Sequence, residues 1–289
     1  MNKDITVVIA TLGGGSLLKT LRLINKSTIL PKEILVCSPN LIAKQKIPIE
    51  NSLNIKFLHT KKIGQVAQRA EGLLSAVSPV VLQMDDDIYI QPQTIEQLLK
   101  ILSSYGSKYA ISPIYCDDLT KKPLIEYRGG LKGFSRNLLD FIFFGSKWGV
   151  AKMGSISASG VPFYYDFSFI NSNSELSDWI PGGMVMCYRE NLIFEDYYPF
   201  QGKAYFEDVI HSILWKKKGI NLIAAKIFVS TPIDDQSFAI KKIFLEHQRK
   251  IYVTKLLKRN IFYCYSSTFY SLIIFILKQV LLKKYKCLK

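Results

Sequence analysis

The feature that most constrains this 289-residue chain is an apolar run that ends in three consecutive aspartates. Residues 80–84 read Val-Val-Leu-Gln-Met, which is typical of a buried strand, and Asp85, Asp86 and Asp87 follow directly. Adjacent carboxylates repel one another, whereas a hard divalent cation binds carboxylate oxygens and turns the cluster into a favourable one. Open α/β sheets also bind ligands at the carboxyl ends of their strands. We therefore interpret the cluster as a metal site; the alternative is an acidic turn in water.

The rest of the chain alternates between strand and helix patterns. Apolar or β-branched runs predict strands at residues 5–10, 34–37, 54–58, 80–84, 109–112 and 221–225. Amphipathic spacing predicts helices near residues 16–24, 64–76, 92–102 and 205–218. Such alternation is typical of a doubly wound, Rossmann-like α/β fold with a mostly parallel sheet and flanking helices. Residues 117–177, rich in glycine and aromatic side chains, break the pattern, and a lid, an acceptor pocket and a membrane-facing edge remain open for them.

The positive charge is concentrated at the end of the chain. Residues 241–289 contain twelve Lys and Arg residues against one acid, Glu246, and so carry +11 of the formal net charge of +15. The nearly neutral remainder lacks the basic footprint of a nucleic-acid-binding domain. No residue from Ile261 to Leu277 is charged, and bases flank both ends. This stretch of seventeen residues is at the short limit for a spanning helix. The pattern predicts a basic amphipathic helix in the interface of an anionic membrane; a spanning helix and a helix packed on protein are the alternatives.

Cysteine usage and the N-terminus bear on the compartment. The five cysteines are scattered and include no CxxC pair. They therefore indicate reduced thiols and no structural zinc. The chain runs from Met1 to Asp4 straight into a predicted strand, without the apolar region of a signal peptide. We expect a cytosolic catalytic domain, attached peripherally to the cytoplasmic face of the membrane.

A second acidic pair, Glu207-Asp208, opens the predicted helix of residues 205–218. It is either chemically active or a negative charge that stabilises the helix N-terminus. Upstream, Gln65 and Arg69 lie near another predicted helix start, where an anion is favoured. A solvated surface arginine is the alternative for Arg69.

Residues 179–183 form a further candidate segment. The pair Gly182-Gly183 permits close approach of the backbone to a ligand. Trp179 offers a flat apolar face of the kind on which sugars often pack, although a tryptophan in the core is the commoner case.

Taken together, these motifs resemble the family 2 glycosyltransferases of GT-A fold. The resemblance spans roughly residues 4 to 230 and rests on Thr11 after the first strand, the Gln65–Arg69 helix start, the three aspartates, residues 179–183 and the Glu207-Asp208 pair. It implies a nucleotide-diphosphate sugar donor, a glycan or lipid-linked acceptor, Mn²⁺ or Mg²⁺, and inversion at the anomeric carbon. A role in surface polysaccharide synthesis is the biological setting it implies.

The resemblance also implies a role for each matching residue. Asp208 is the expected catalytic base, with Glu207 beside it, and Asp87 is the direct metal ligand together with Asp85. The donor is expected to contact Thr11, Gln65, Arg69, Asp85 and Asp86, and the acceptor Trp179, Gly182 and Gly183. A third metal ligand stays open between His211 and a residue near Thr231.

We expect a GT-A catalytic domain at residues 1–237 and a basic, apolar helical tail at 238–289. Within the domain, residues 1–115 form the nucleotide-sugar half and 116–237 the acceptor half. One alternative is a sugar nucleotidyltransferase, but the glycine turn at 13–15 lacks the arginine and lysine that such enzymes place after it. Another is a non-catalytic glycan- or membrane-binding protein on a degenerate transferase fold. Retention of both acidic clusters disfavours it.

Overall fold

The computed structural model describes residues 4–40, 53–127, 130–233 and 240–286, with side chains as far as residue 280. The chain divides into two compact units. The first, here called the sheet unit, comprises Met1–Ile125 and Tyr165–Ile233; the second, the helical unit, comprises Glu126–Tyr164 and Asp234–Lys289. Residues 126–164 thus group with the tail, whereas the sequence assigned them to the acceptor half. The predicted boundary at residue 237 lies outside the described residues.

The sheet unit contains all eight strands of the described residues. They are β1 (Ile5–Ala10), β2 (Glu33–Ser38), β3 (Ile55–His59), β4 (Val80–Asp85), β5 (Tyr109–Asp117), β6 (Ser174–Ser177), β7 (Met184–Tyr188) and β8 (Asn221–Thr231). Its helices are α1 (Gly15–Asn25), α2 (Gln65–Ser75), α3 (Thr94–Tyr105) and α5 (Glu207–Lys217). The helical unit contains α4 (Gly130–Phe144), α6 (Ile240–Leu256) and α7 (Phe262–Lys286).

The strands form one sheet in the order β3-β2-β1-β4-β7-β5-β8-β6. Strands β1 to β4 pair in parallel, and so do β5 and β8. Strand β7 runs antiparallel between β4 and β5, and β6 runs antiparallel along β8. The predicted mostly parallel α/β sheet is confirmed. The position of β7 is what brings the turn before it, residues 182–183, beside the end of β4, where the Asp85 amide donates to the Gly183 carbonyl at 2.7 Å.

Helices cover both faces of this sheet, which explains why its central strands read as continuous apolar runs rather than alternating ones. Strands β1 and β2 are buried along their whole length. On one face, apolar side chains of α1 and α3 pack in a single core cluster with alternate residues of β1 and β4. On the other face, Leu73 of α2 and Trp215 of α5 pack with Val8, Leu35 and other strand residues.

The helical unit contains a helix that the sequence did not predict, and β6 and β7 of the sheet unit were not predicted either. Helix α4 occupies residues 130–144, inside the stretch that the glycine pattern marked as irregular. It packs on α7, where Phe143 stacks on Tyr270 with 4.9 Å between ring centroids. The Lys152 ammonium, buried, binds the Asp140 carboxylate at 2.6 Å. Among the described helices of this chain, none contains an apolar stretch long enough to cross a bilayer.

Substitution of Gly72 by alanine tests how closely α2 packs on the sheet. A Cβ added there would lie 2.4 Å from Cys37 Sγ and 2.6 Å from Val8 Cγ1, both in the buried core. We expect Gly72→Ala to lower the free energy of unfolding by about 1–3 kcal/mol through overpacking, although alanine ordinarily stabilises a helix relative to glycine. Urea unfolding measures the change.

The matched control is Gly15→Ala at the start of α1, where an added Cβ would meet nothing within 4 Å. This variant should be as stable as the wild type or slightly more stable. An unfolding midpoint for Gly72→Ala equal to that of the control would contradict the close packing of α2.

Candidate active site

A cavity of about 600 Å³ opens at the carboxyl ends of β1 and β4. The glycine turn of residues 11–14, the start of α2, the three aspartates and residues 202–204 line it. Its volume is in the range of small-molecule and cofactor sites. Lys203 is the one basic residue among the described residues that line the cavity, and sequence reasoning missed it because nothing in its loop marks it. The cavity therefore combines a backbone-rich turn, an acidic floor and one cation.

Arg69 joins the two acidic clusters that the sequence singled out. Its guanidinium, 3% exposed, donates from Nη1 to Glu207 Oε1 at 2.8 Å and from Nη2 to Asp85 Oδ1. Gln65 Nε2 donates to the same Asp85 oxygen at 2.8 Å. Burial lowers the pKa of Arg69, but the charges of Glu207 and Asp85 outweigh it, so that pKa stays well above its ordinary value. The end of β4 and the start of α5 are thus tied together through α2.

In this geometry Arg69 joins two carboxylates of the protein, whereas the role predicted for it was contact with the donor nucleotide. The alternative of a solvated surface arginine is wrong, because the side chain is buried. Arg69 is not among the residues lining the 600 Å³ cavity, so its contact with a nucleotide stays a prediction. A sequence signal was present: an arginine inside the inward-facing stretch of an amphipathic helix needs an acid partner.

Hydrogen bonds connect the Asp86 side chain to the glycine turn through Thr11. Thr11 Oγ1 donates to Asp86 Oδ2 and accepts from the amide of Gly13 at 2.9 Å. Thr20 on α1 donates to the Asp86 carbonyl at 2.7 Å. Burial raises the pKa of Asp86, against the lowering effect of the Thr11 hydrogen bond. The predicted residues Thr11 and Asp86 therefore fix the backbone that lines the cavity.

The predicted metal ligands, Asp85 and Asp87, both line the cavity. No group of three or more His, Cys, Asp or Glu residues suited to a metal occurs in the part of the chain that the structure describes. Mg²⁺ is commonly held by one or two carboxylates, with phosphate oxygens and water in the other positions. An all-oxygen pair of carboxylates beside a cavity fits a hard cation that shares its coordination shell with a ligand.

Asp208 lies at the first turn of α5, beside the buried Glu207. The residue before this pair, Phe206, has a left-handed backbone with φ of 64°, which is uncommon for a non-glycine residue and is typical of strained functional sites. The amide of Val209 donates to Asp208 Oδ1 at 2.8 Å. Burial, with the Glu207 charge added, raises the pKa of Asp208 to about 7. Tyr197, which sequence reasoning did not find, donates to Glu207 Oε2 at 3.0 Å and fixes the neighbouring acid.

The paired glycines lie between the two acids. A Cβ added to Gly182 would lie 2.7 Å from Glu207 Oε1, and one added to Gly183 would lie 3.0 Å from Asp85 Oδ2. The glycines therefore permit the acids to approach the backbone, which is a packing role. Trp179 is only 5% exposed, and this burial does not favour the predicted sugar-packing role. Acceptor contacts by all three residues stay predictions.

His211 lies behind this site and not in the 600 Å³ cavity. Its ring stacks on Trp215 at 3.7 Å between centroids, and burial lowers its pKa well below the ordinary value. Arg69, Gln83 and His211 line a small internal cavity of about 10 Å³. Arg69 Nε, Gln83 Oε1 and both ring nitrogens of His211 lack a hydrogen-bond partner among the described residues. Such a space is about the size of one water molecule, and this placement gives no support to His211 as a metal ligand.

Known proteins share this fold. A family model described as glycosyl transferase family 2 matches residues 6–156, slightly more than half of the chain. Similar solved structures include the crystal structure of GalNAc-T7 with UDP, GalNAc and Mn²⁺, with a TM-score of 0.57 and 16% identity over 81% of this chain and 44% of that one. The crystal structure of a mycobacterial protein matches with a TM-score of 0.51 and 11% identity over 90% of this chain and 76% of that one. No curated protein sequence matches significantly. The likenesses confirm the GT-A fold.

The raised pKa of Asp208 predicts a pH-dependent stability. Because the folded-state pKa of about 7 exceeds the ordinary value of 3.8, the folded protein holds this proton more tightly than the unfolded chain does. The contribution of Asp208 to the free energy of unfolding therefore falls as the pH rises from about 4 to about 7, then levels off. Asp208→Asn removes this titration, so urea unfolding of the variant should show a weaker fall over that window. Equal pH dependence in the two proteins would contradict the raised pKa.

Proposed function

Because this chain belongs to glycosyl transferase family 2, we propose that it moves a sugar from a nucleotide-diphosphate sugar to a hydroxyl group of a glycan or lipid-linked acceptor, with inversion at the anomeric carbon. The observation that carries the proposal is the Arg69 guanidinium, which binds Asp85 and Glu207 at once. One acidic cluster lines the 600 Å³ cavity. The other, Glu207-Asp208, is not among the residues that line it, but Glu207 is joined to Asp85 through Arg69, and its neighbour Asp208 has a pKa of about 7.

The donor is proposed to occupy the 600 Å³ cavity. Backbone amides of the glycine turn suit phosphate oxygens, and Lys203 adds a positive charge at the same cavity. Asp87, with Asp85, would hold Mn²⁺ or Mg²⁺, which supplies charge neutralisation at the departing diphosphate. Thr11, Gln65 and Asp86 hold the walls of the cavity in place through their hydrogen bonds.

The transfer step needs a group that takes the proton from the attacking hydroxyl of the acceptor substrate. The acceptor oxygen bonds to the anomeric carbon while the bond from that carbon to the diphosphate oxygen breaks, and the hydroxyl proton passes to the Asp208 carboxylate. A pKa of about 7 leaves a useful fraction of Asp208 ionised at neutral pH and still basic enough to take a proton. Direct displacement with one base forms no covalent intermediate, so the configuration inverts.

We place the protein peripherally on the cytoplasmic face of an anionic membrane, in surface polysaccharide synthesis. The support is the +11 charge of residues 241–289 and a row of exposed apolar side chains on α7. The row contains Phe262, Phe269, Ile276 and Val280, spaced so that they share one side of the helix. An apolar side with basic surroundings is typical of helices that lie on anionic lipid.

Asp208→Asn tests the proposed base. We expect turnover to fall by about 100-fold or more, because the amide cannot accept the proton, while the dissociation constant for the donor stays close to that of the wild type. Release of nucleoside diphosphate in the presence of acceptor measures the rate. Asp178→Asn is the control, since the Asp178 carboxylate pairs with Lys216 at 3.2 Å and is 45% exposed. Near-normal turnover in Asp208→Asn would reassign the base to Glu207 or elsewhere.

Asp87→Ala tests the proposed metal ligand. A panel of nucleotide sugars with Mn²⁺ first identifies the donor by thermal stabilisation, which at tens of times the dissociation constant adds about 2 kcal/mol. Calorimetry of that donor with Mn²⁺ and with EDTA should then show metal-dependent binding in the wild type and none in the variant. Asp196→Ala, which removes a surface carboxylate 3.4 Å from Lys62, is the control. Metal-dependent binding by Asp87→Ala would refute the assignment.

A further inference from the structure

The outward face of α4 carries a row of exposed apolar side chains. Leu131, Phe134, Leu138 and Phe141 are 90%, 58%, 40% and 53% exposed. Their spacing of three, four and three residues places them along one side of the helix. Single exposed apolar residues are ordinary, but a contiguous row marks an interaction surface.

The folding of α4 does not account for this row. The helix already buries Gly133, Asp140 and Phe144 on its other side, and Phe143 stacks on Tyr270 of α7. The exposed row therefore lies on a different side of α4 from the contacts that hold it in the helical unit.

Trp148 extends the row into a broader aromatic surface. Its ring, 45% exposed, lies edge-on to Phe134 and Phe141, with centroid distances of 5.6 and 6.2 Å. Tryptophan has an apolar body and a polar N–H, which favours the boundary between lipid chains and headgroups. We name the surface formed by Leu131, Phe134, Leu138, Phe141 and Trp148 the aromatic face.

The segment that carries the aromatic face has a net positive charge. Residues 130–152 contain four bases, of which Lys132, Arg136 and Lys147 are exposed. Asp140, the only acid among residues 130–152, is buried and bound to Lys152 at 2.6 Å and Arg136 at 3.0 Å. The segment thus combines exposed apolar rings with a net charge of +3, from four bases and one acid, which suits an anionic headgroup layer. Two copies of the same face would bring like charges together, which disfavours a symmetric dimer.

We propose that the aromatic face of α4 inserts into the headgroup region of an anionic phospholipid bilayer and lies in its plane. A helix of 15 residues is about 22 Å long, shorter than the apolar thickness of a bilayer of about 30 Å. The aromatic side chains of α4 insert among the lipids, and its basic side chains are attracted to the anionic headgroups. Both effects contribute to binding in other interfacial helices. The inference rests on the proposed membrane association, which was argued from α7, and adds a second surface to it. Of the lid, acceptor pocket and membrane edge that the sequence left open, the proposal corresponds to the membrane edge.

The test is binding of the full chain to vesicles of phosphatidylcholine, with and without phosphatidylglycerol, measured by co-sedimentation. The wild type is expected to bind the anionic vesicles preferentially. Phe134→Ser with Phe141→Ser should lower the partition coefficient by about tenfold or more, since both rings leave the interface. Lys132→Glu with Lys147→Glu should weaken the preference for anionic lipid, while the +11 charge of residues 241–289 keeps part of it. The matched control is Val77→Ser with Leu119→Ser, which removes two side chains of the sheet unit that are 69% and 90% exposed.

Tryptophan fluorescence gives a second readout at the proposed surface. The chain contains three tryptophans, and Trp179 and Trp215 are only 5% and 1% exposed. A blue shift on adding anionic vesicles therefore reports mainly on Trp148. The shift should persist in the control pair and disappear in Trp148→Ser. Urea unfolding of each variant verifies that it is folded.

Three outcomes would overturn the inference. If the α4 variants bind vesicles like the wild type while Phe262→Ser with Phe269→Ser abolishes binding, α7 alone contacts lipid and the proposed membrane association stands. If the wild type binds neither kind of vesicle, both membrane statements fail, while donor turnover with a soluble acceptor still tests glycosyl transfer. If the α4 substitutions instead abolish a concentration-dependent dimer seen by sedimentation velocity, the face is a protein contact.

Discussion

The site depends on one buried cation. Arg69 binds Asp85 and Glu207, which are 16 and 138 residues away from it in the chain. Buried charges are costly unless paired, and removal of one partner leaves the others uncompensated. A single guanidinium with a planar fork of donors can hold two carboxylates at fixed positions, which a lysine cannot do with the same geometry. The end of β4 and the start of α5 therefore keep a defined separation because α2 carries this arginine.

The antiparallel strand β7 makes the arrangement possible. It enters the sheet between β4 and β5, and the turn before it brings Gly182 and Gly183 against the two acids. A side chain at either glycine would occupy the space of a carboxylate oxygen. Burial, with the Glu207 charge added, raises the pKa of the neighbouring Asp208.

The helical unit combines a buried ion pair with exposed apolar rows. Lys152 and Asp140 pair in its interior together with buried apolar residues such as Phe144 and Val253, while large apolar side chains of α4 and α7 stay exposed. Contiguous exposed apolar rows mark interaction surfaces. The anionic bilayer proposed as its partner accounts for exposed rings and bases together. Sequence analysis missed α4 because glycines flank and interrupt it and glycine is typical of irregular segments, although its apolar side chains have helical spacing.

The sequence by itself determined the features that depend on neighbouring residues: the apolar strands of the sheet, the amphipathic helices and the two acidic clusters. Local period and adjacent chemistry suffice for these, because side-chain direction repeats every two residues in a strand and every 3.6 in a helix. Only the tertiary structure decided that Arg69 faces acids rather than solvent, that Trp179 is buried, and that residues 126–164 group with the tail. Each of these depends on contacts between residues far apart in the chain, and no local pattern records which distant partner a side chain will meet.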